Sequence, residues 1–187
     1  MGKIILASSS PRRRELLKKT NYKFEIIPSP YIEDHTTTDF SYEFIEGLAE
    51  GKARAVVPLI TEPAIIIGAD TVVVLDGKIL GKPSDKTEAF KMLQTLSGRT
   101  HIVVTGIAVI NTQTGELKKA ASTSYVTFEK LTDEQICYYI ENFEPLDKAG
   151  SYGIQEMPDG YIKTYTGSLE NIIGLDVLLL ENLLKNI

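Results

Sequence analysis

Apolar positions recur in two alternating rhythms along the chain. Short continuous runs, Ile4 to Ala7, Phe24 to Ile27 and above all Ala64 to Leu75, have the length and β-branched content of buried strands. Between them, Arg12 to Lys19 reads as a helix with Leu16 and Leu17 inward, and Glu43 to Val57 as a longer one with Phe44, Leu48, Ala55 and Val56 as its apolar positions. A polar, threonine-rich loop spans Tyr31 to Asp39. Asp76-Gly77 is a hairpin-type turn into Lys78 to Leu80, and Thr87 to Leu96 is a helix stopped by Ser97-Gly98-Arg99. Thr100 to Asn111 and Leu117 to Phe128 alternate around Thr114-Gly115, as half-exposed antiparallel strands do. Thr132-Asp133-Glu134 supplies an N-cap and an acidic first turn to a helix reaching Asn142. A glycine-rich stretch from Gly150 to Gly174 follows, and Asp176 to Asn186 closes the chain as an apolar helix. The pattern predicts an α/β fold on a mixed sheet: one domain over 1–187, or two lobes sharing a core with a cleft between them.

The longest apolar run contains a conflict. Asp70 lies between an isoleucine-rich and a valine-rich half, with Gly68 and Ala69 leaving space before it. A carboxylate there is costly to bury unless paired, hydrogen-bonded or bound to a metal, although a turn aspartate capping backbone amides is the plainer alternative. Glu33-Asp34, in the polar loop, could join Asp70 as the oxygen ligands that Mg²⁺ prefers; by itself Glu33 reads better as a solvated loop residue.

A second junction follows the first strand, where Ser8-Ser9-Ser10-Pro11-Arg12-Arg13-Arg14 leads into a helix. Proline in the first turn sacrifices no needed donor, and arginine forks match phosphate oxygens. An N-cap serine followed by solvated basic residues is the bland reading of the same stretch. Gly81-Lys82-Pro83 presents Lys82 on a stiffened loop, whereas Lys52 alone would pass for an exposed helix lysine. In Asp147-Lys148-Ala149-Gly150-Ser151-Tyr152-Gly153-Ile154-Gln155, two glycines bracket an aromatic, and the Gln155 amide could read donor and acceptor positions on a base edge.

Composition narrows the choices. The formal net charge of −5 over 187 residues argues against a protein that holds duplex nucleic acid by phosphate neutralisation, while the basic cluster in the first twenty residues suits a small anion. One cysteine, Cys137, allows no intramolecular disulfide; its apolar helical setting, without a conspicuous basic neighbour, predicts a packed thiol. There is no signal-peptide pattern and no apolar run near the ~20 residues a bilayer crossing needs, so a cytoplasmic location without membrane attachment is expected. His35 and His101 make no metal-ligand spacing with Cys137, and His101, in an alternating strand, is expected to be structural. No G-x-S-x-G elbow, G-x-x-x-x-G-K-[ST] loop or strand-linked G-x-G-x-x-G occurs.

In order, Leu6-Ala7-Ser8-Ser9-Ser10-Pro11-Arg12-Arg13, Gly68-Ala69-Asp70-Thr71-Val72-Val73, Gly81-Lys82-Pro83, Leu96-Ser97-Gly98-Arg99-Thr100-His101, Asp147 to Gln155 and Gly167-Ser168…Asn171-Ile172-Ile173-Gly174-Leu175 resemble the Maf family of nucleoside triphosphate pyrophosphatases over almost the whole chain. The resemblance implies an elongated mixed β-sheet flanked by helices, of the inosine-triphosphatase-like kind. It also implies hydrolysis of a nucleoside triphosphate to monophosphate and pyrophosphate with a divalent cation, Mg or Mn. By the same likeness Asp70 is the expected general base and Glu33 a further polar active-site group; the oxygen-ligand chemistry of the two makes them the expected holders of the metal. Lys52, Lys82 and Arg13 are further polar active-site groups, Ser8 belongs to the phosphate-facing turn, and Arg12, Thr71 and Gln155 match positions linked to substrate choice. The Tyr152-Gly153-Ile154-Gln155 ending is similar to the branch acting on dTTP and UTP, and unlike that acting on 7-methyl-GTP. Leu175-Asp176 departs from the family, where many relatives have proline after leucine. A house-cleaning role, a link to cell-division arrest and a homodimer are further implications. A pyrophosphatase for modified purine nucleotides, and a nucleotide-sensing or RNA-binding regulator without turnover, stay open as alternatives.

Overall fold

The computed structural model describes residues 2–32 and 38–187, so Glu33, Asp34 and His35 lie outside the described residues. The strands are β1 (Lys3–Leu6), β2 (Phe24–Ile26), β3 (Ala64–Leu75), β4 (Lys78–Leu80), β5 (Thr100–Asn111), β6 (Leu117–Phe128) and β7 (Ile162–Thr166). Helices α1 (Pro11–Leu17), α2 (Tyr42–Arg54), α3 (Lys86–Leu96), α4 (Asp133–Asn142), α5 (Leu169–Ile173) and α6 (Val177–Lys185) surround them. All seven strands join one sheet of order β2-β1-β3-β5-β6-β7, with β4 also paired to β3. β1 runs parallel to β2 and β3, and every other pairing is antiparallel, which makes the sheet mixed as expected.

β3 is the spine, and its side chains alternate between two covered faces. Ile65, Ile67 and Ala69 meet Leu16 and Leu17 of α1 and Leu180 and Leu184 of α6. Farther along the same face, Val73 and Leu75 meet Leu93 and Leu96 of α3 and Ile136 and Tyr139 of α4. On the opposite face Ile66 packs with Ala53 and Val56, and Val72 and Val74 with Ile45 and Leu48. Two-sided burial explains why the run is continuous rather than alternating.

The Gly-Ala-Asp-Thr stretch does not break the strand. Gly68 is needed because α2 rests on the sheet there: a Cβ would sit 2.2 Å from the Ala49 carbonyl and 2.8 Å from the Ala53 nitrogen. Gly106, on the neighbouring strand, is constrained alike, since its Cβ would fall 2.6 Å from the Ile45 carbonyl. This close approach corrects the expected inward face of α2. Ile45, Leu48, Ala49 and Ala53 are its buried residues, and Phe44 and Ala55 stand only at the margin, because small side chains let the backbone come near.

Another expectation fails at Cys137, which is exposed. α4 turns Ile136, Tyr139 and Ile140 inward, and the residue after Ile136 is rotated off that face. Cys137 lines a 360 Å³ groove with Phe90, Ile140 and the basic Lys86 and Lys91, so basic residues do neighbour it.

The departure at Asp176 has a structural role. Its carboxylate accepts from the Leu179 N–H at 3.1 Å as the N-cap of α6, and from the Ser122 hydroxyl at 2.6 Å. A helix start that proline would pre-set by φ is here fixed by a side chain.

Candidate active site

β3 lacks a described strand partner on one side over residues 68–72. β1 pairs with it only as far as Leu6 opposite Ile67, and β4 begins at Val73 opposite Leu80. β1 is parallel and β4 antiparallel to β3, so the carboxyl ends of both point into this gap from opposite directions. One delivers Ser8 to Arg13, and the other delivers Gly81-Lys82. Ligands favour such crevices beyond strand ends at a change of topology. Asp70 and Thr71 occupy the middle of the gap, and as successive strand residues they project from opposite faces.

Arg13 fills the side of Thr71. Its Nη2 donates to Thr71 Oγ1 at 3.1 Å, Nη1 to Ser8 Oγ at 3.5 Å and Nε to the Gly174 carbonyl at 2.9 Å. The guanidinium is held as a plane by three different elements. Thr71 is in turn 2.9 Å from the Thr105 hydroxyl, which donates to the Asn171 carbonyl at 3.0 Å. Fully buried Asn171 anchors α5 by donating to the Val103 carbonyl at 3.0 Å and to Ser124 Oγ at 2.8 Å. The Asn171-Ile172-Ile173-Gly174 motif thereby delivers the carbonyl that aims Arg13. Ser10 caps α1, its hydroxyl accepting the Arg13 N–H at 3.4 Å, so the bland expectation for that serine holds. It fails for Arg12 and Arg13, which are partly buried and paired, and holds for Arg14, which is exposed.

Asp70 fills the opposite face. It is 6% exposed and accepts through Oδ1 from Lys52 Nζ. Lys52 lies between Ala49 and Ala53, the two residues that contact Gly68, so the tight seating of α2 sets the ammonium over the carboxylate. The lysine that would pass for a surface residue is thus partly buried, its side chain 14% exposed. Buried ions need such pairing. Oδ2 of Asp70 has no hydrogen-bond partner among the described residues.

The third wall is the 144–156 segment. Arg12 Nη1 donates to Asp147 Oδ2 at 3.2 Å, and Asp147 Oδ1 accepts from Lys148 at 2.9 Å. Partial burial pushes the Asp147 carboxyl up, but Lys148 and then Arg12 outweigh it and hold it below the usual carboxylate range. The Gly150 N–H donates to the Gly81 carbonyl at 3.0 Å, which ties the Lys82 loop to this segment. Gly150 adopts φ 65° with its missing Cβ against Val73, so only glycine fits. Lys82 is exposed. Gln155 is exposed too, on the wall of a 340 Å³ cavity with Ile154, Met157, Pro158 and Tyr165.

Of the expected site residues, Ser8, Arg13 and Thr71 meet directly, as do Lys52 and Asp70. Arg12 joins through Asp147, Lys82 stands on the rim, and Gln155 faces its own cavity without a bond to the others. Glu33 lies outside the described residues. Thr105, Asn171 and Lys148 complete the arrangement, yet only the last two fall within recognisable motifs, and a threonine in an alternating strand carries no signal at all. His101 is structural as expected: it is 2% exposed, with Nε2 2.6 Å from the Tyr152 hydroxyl. Arg99 is spent on Asp76 at 2.7 Å, consistent with a simple helix stop.

Among the described residues, no group of three or more His, Cys, Asp and Glu could hold a metal ion. Asp70 nevertheless fits a hard cation of the Mg²⁺ kind, which takes one or two carboxylates and fills its remaining positions with water and substrate oxygens. Oδ2 is the oxygen left for it.

Comparison with known proteins places these features in context. The family model described as "Maf-like protein" matches residues 3–187. A "dTTP/UTP pyrophosphatase" of Porphyromonas gingivalis (strain ATCC BAA-308 / W83) is 46% identical over 98% of this chain and 94% of its own length. One of Clostridium novyi (strain NT) is 45% identical over 92% and 91%, and one of Clostridium botulinum (strain Eklund 17B / Type B) 43% over 98% of each. Among solved structures, a nucleoside-triphosphatase / dITP/XTP pyrophosphatase from Mycobacterium abscessus aligns with a TM-score of 0.47 at 15% identity, over 98% of this chain and 93% of that one.

Proposed function

The chain belongs to the Maf-like protein family, and from that premise we propose that it hydrolyses dTTP and UTP to the monophosphate and pyrophosphate. The observation that carries this reading is the convergence of the β1 and β4 ends, with their cations, on the Asp70-Thr71 pair. Water attacks the α-phosphorus, the bond to the bridging oxygen breaks, and pyrophosphate departs with the negative charge. Arg13, held by Ser8, Thr71 and the Gly174 carbonyl, is pre-aimed at phosphate oxygens, while Arg12 and Lys82 add positive charge from the rim. Asp70 orients the attacking water and takes its proton, and Lys52 holds Asp70 in place. A divalent cation, Mg or Mn, would be held by Asp70 and by Glu33 of the polar loop, and when bound it supplies charge neutralisation and an acidified water.

Gln155 is the proposed reader of the pyrimidine edge, because a site built on hydrogen bonds rejects bases that leave its groups unpaired. A cytoplasmic setting fits this substrate, and no described helix is long and apolar enough to cross a membrane. The test is a panel of dTTP, UTP, CTP, GTP and 7-methyl-GTP with Mg²⁺ or Mn²⁺, following monophosphate and pyrophosphate together. Equimolar release fastest from dTTP and UTP is expected, with the preference weakened in Gln155→Ala. Binding without release would favour a sensor, and preference for 7-methyl-GTP a modified-purine enzyme.

A further inference from the structure

Lys148 lies between Asp147 and the glycines before Gln155, where a lysine could meet a phosphate. Its environment assigns it another task. It is 5% exposed, and an ammonium has three protons to give. It donates to Asp147 Oδ1 at 2.9 Å and to the Glu144 carbonyl, and Glu156 Oε2 stands 3.0 Å away as an ion-pair partner. Three protein oxygens thus surround the ammonium. The lysine stem lies across Gly153, where a Cβ would come within 3.0 Å of Lys148 Cε, and the Gly153 N–H is fixed by the Tyr139 hydroxyl at 3.1 Å.

The two carboxylates it grips lead in different directions. Asp147 continues to Arg12 at 3.2 Å, on the phosphate side of the site. Glu156 is the next residue after Gln155, on the base side. We propose that Lys148 is a positioning residue that couples these two ends: it sets Asp147 to orient Arg12, and pins the 153–156 turn so that Gln155 keeps one presentation. The coupling has an electrostatic logic. When phosphate draws Arg12 away, Asp147 keeps Lys148 as its cationic partner, so the segment retains its shape while the arginine changes partner. This inference deepens the proposed function and rests on it for the identity of the nucleotide.

The test compares wild type with Lys148→Met, Lys148→Arg and Glu156→Gln. The readouts are kcat and KM for dTTP and CTP, and amide hydrogen exchange over 144–156 in nucleotide-free protein. Lys148→Met is expected to raise the KM for dTTP about tenfold and lower the dTTP-to-CTP ratio of kcat/KM by a similar factor, with kcat within about threefold. Exchange at 153–156 should quicken. Lys148→Arg should recover part of each change, and Glu156→Gln should shift them the same way by less. Unchanged KM, selectivity and exchange in Lys148→Met, or a fall in kcat alone, overturns the coupling; should that variant not fold, Glu156→Gln decides by the same criteria. Wild type that turns over none of the nucleotides overturns the functional reading instead, and exchange still decides the coupling.

Discussion

Asp70 combines a costly placement with the central role proposed for it in the chemistry. Its carboxylate is buried in the most apolar strand and compensated by Lys52 alone among the described residues. Asp70→Asn keeps the volume and one acceptor for Lys52, but loses the charge that would hold a cation or take a proton. Turnover should fall about 10²–10⁴-fold, with the circular dichroism spectrum retained. Near-normal pyrophosphate release would remove Asp70 from the chemistry. The sequence exposed this residue because a lone acid among isoleucines and valines contradicts its surroundings. Lys52 was legible only through family resemblance, since what distinguishes it from a surface lysine is the distance between α2 and β3, which no local pattern encodes.

Among the elements, α2 is positioned by absences. Gly68 and Gly106 have no side chain where the helix backbone touches the sheet, and Lys52 is carried by that contact. Gly68→Val should therefore destabilise the fold by at least about 1–3 kcal/mol, read as a lower urea midpoint at similar slope. It should also reduce kcat, because a displaced helix lifts Lys52 from Asp70. Stability loss with full specific activity would separate helix seating from the site. The bounds of β5 and β6 were legible to the residue from the Thr114-Gly115 turn, but β5 is buried on both faces from Val103 to Ile110 rather than half-exposed, because it lies inside the sheet between β3 and β6. β7 and α5 were not legible: Gly160, Gly167 and Gly174 adopt positive φ around them, and the two elements are too short for periodicity to emerge.

For the molecule as a whole, one buried ring links acidity to folding. Burial lowers the His101 pKa from its usual 6.5 to about 4. Between those values the unfolded chain binds a proton that the native state refuses, so stability from this group is full above about pH 6.5 and falls as pH drops toward 4. The difference amounts to about 3 kcal/mol. His101→Gln should flatten that part of the profile, measured as urea midpoints at pH 7, 5.5 and 4.5. Identical slopes in both proteins would show that His101 is protonated without penalty. The sequence marked this histidine as structural, but its pairing with Tyr152 joins segments 51 positions apart and could not be read locally.

β3 gives a carboxylate to one face and a hydroxyl to the other through neighbouring residues. Parity along that strand is therefore a chemical constraint: gaining or losing one residue between Gly68 and Asp70 would transpose acid and alcohol, setting the carboxylate beside Arg13 and the threonine beneath Lys52. Length variation among working relatives should accordingly gather in the turns and stop short of this strand.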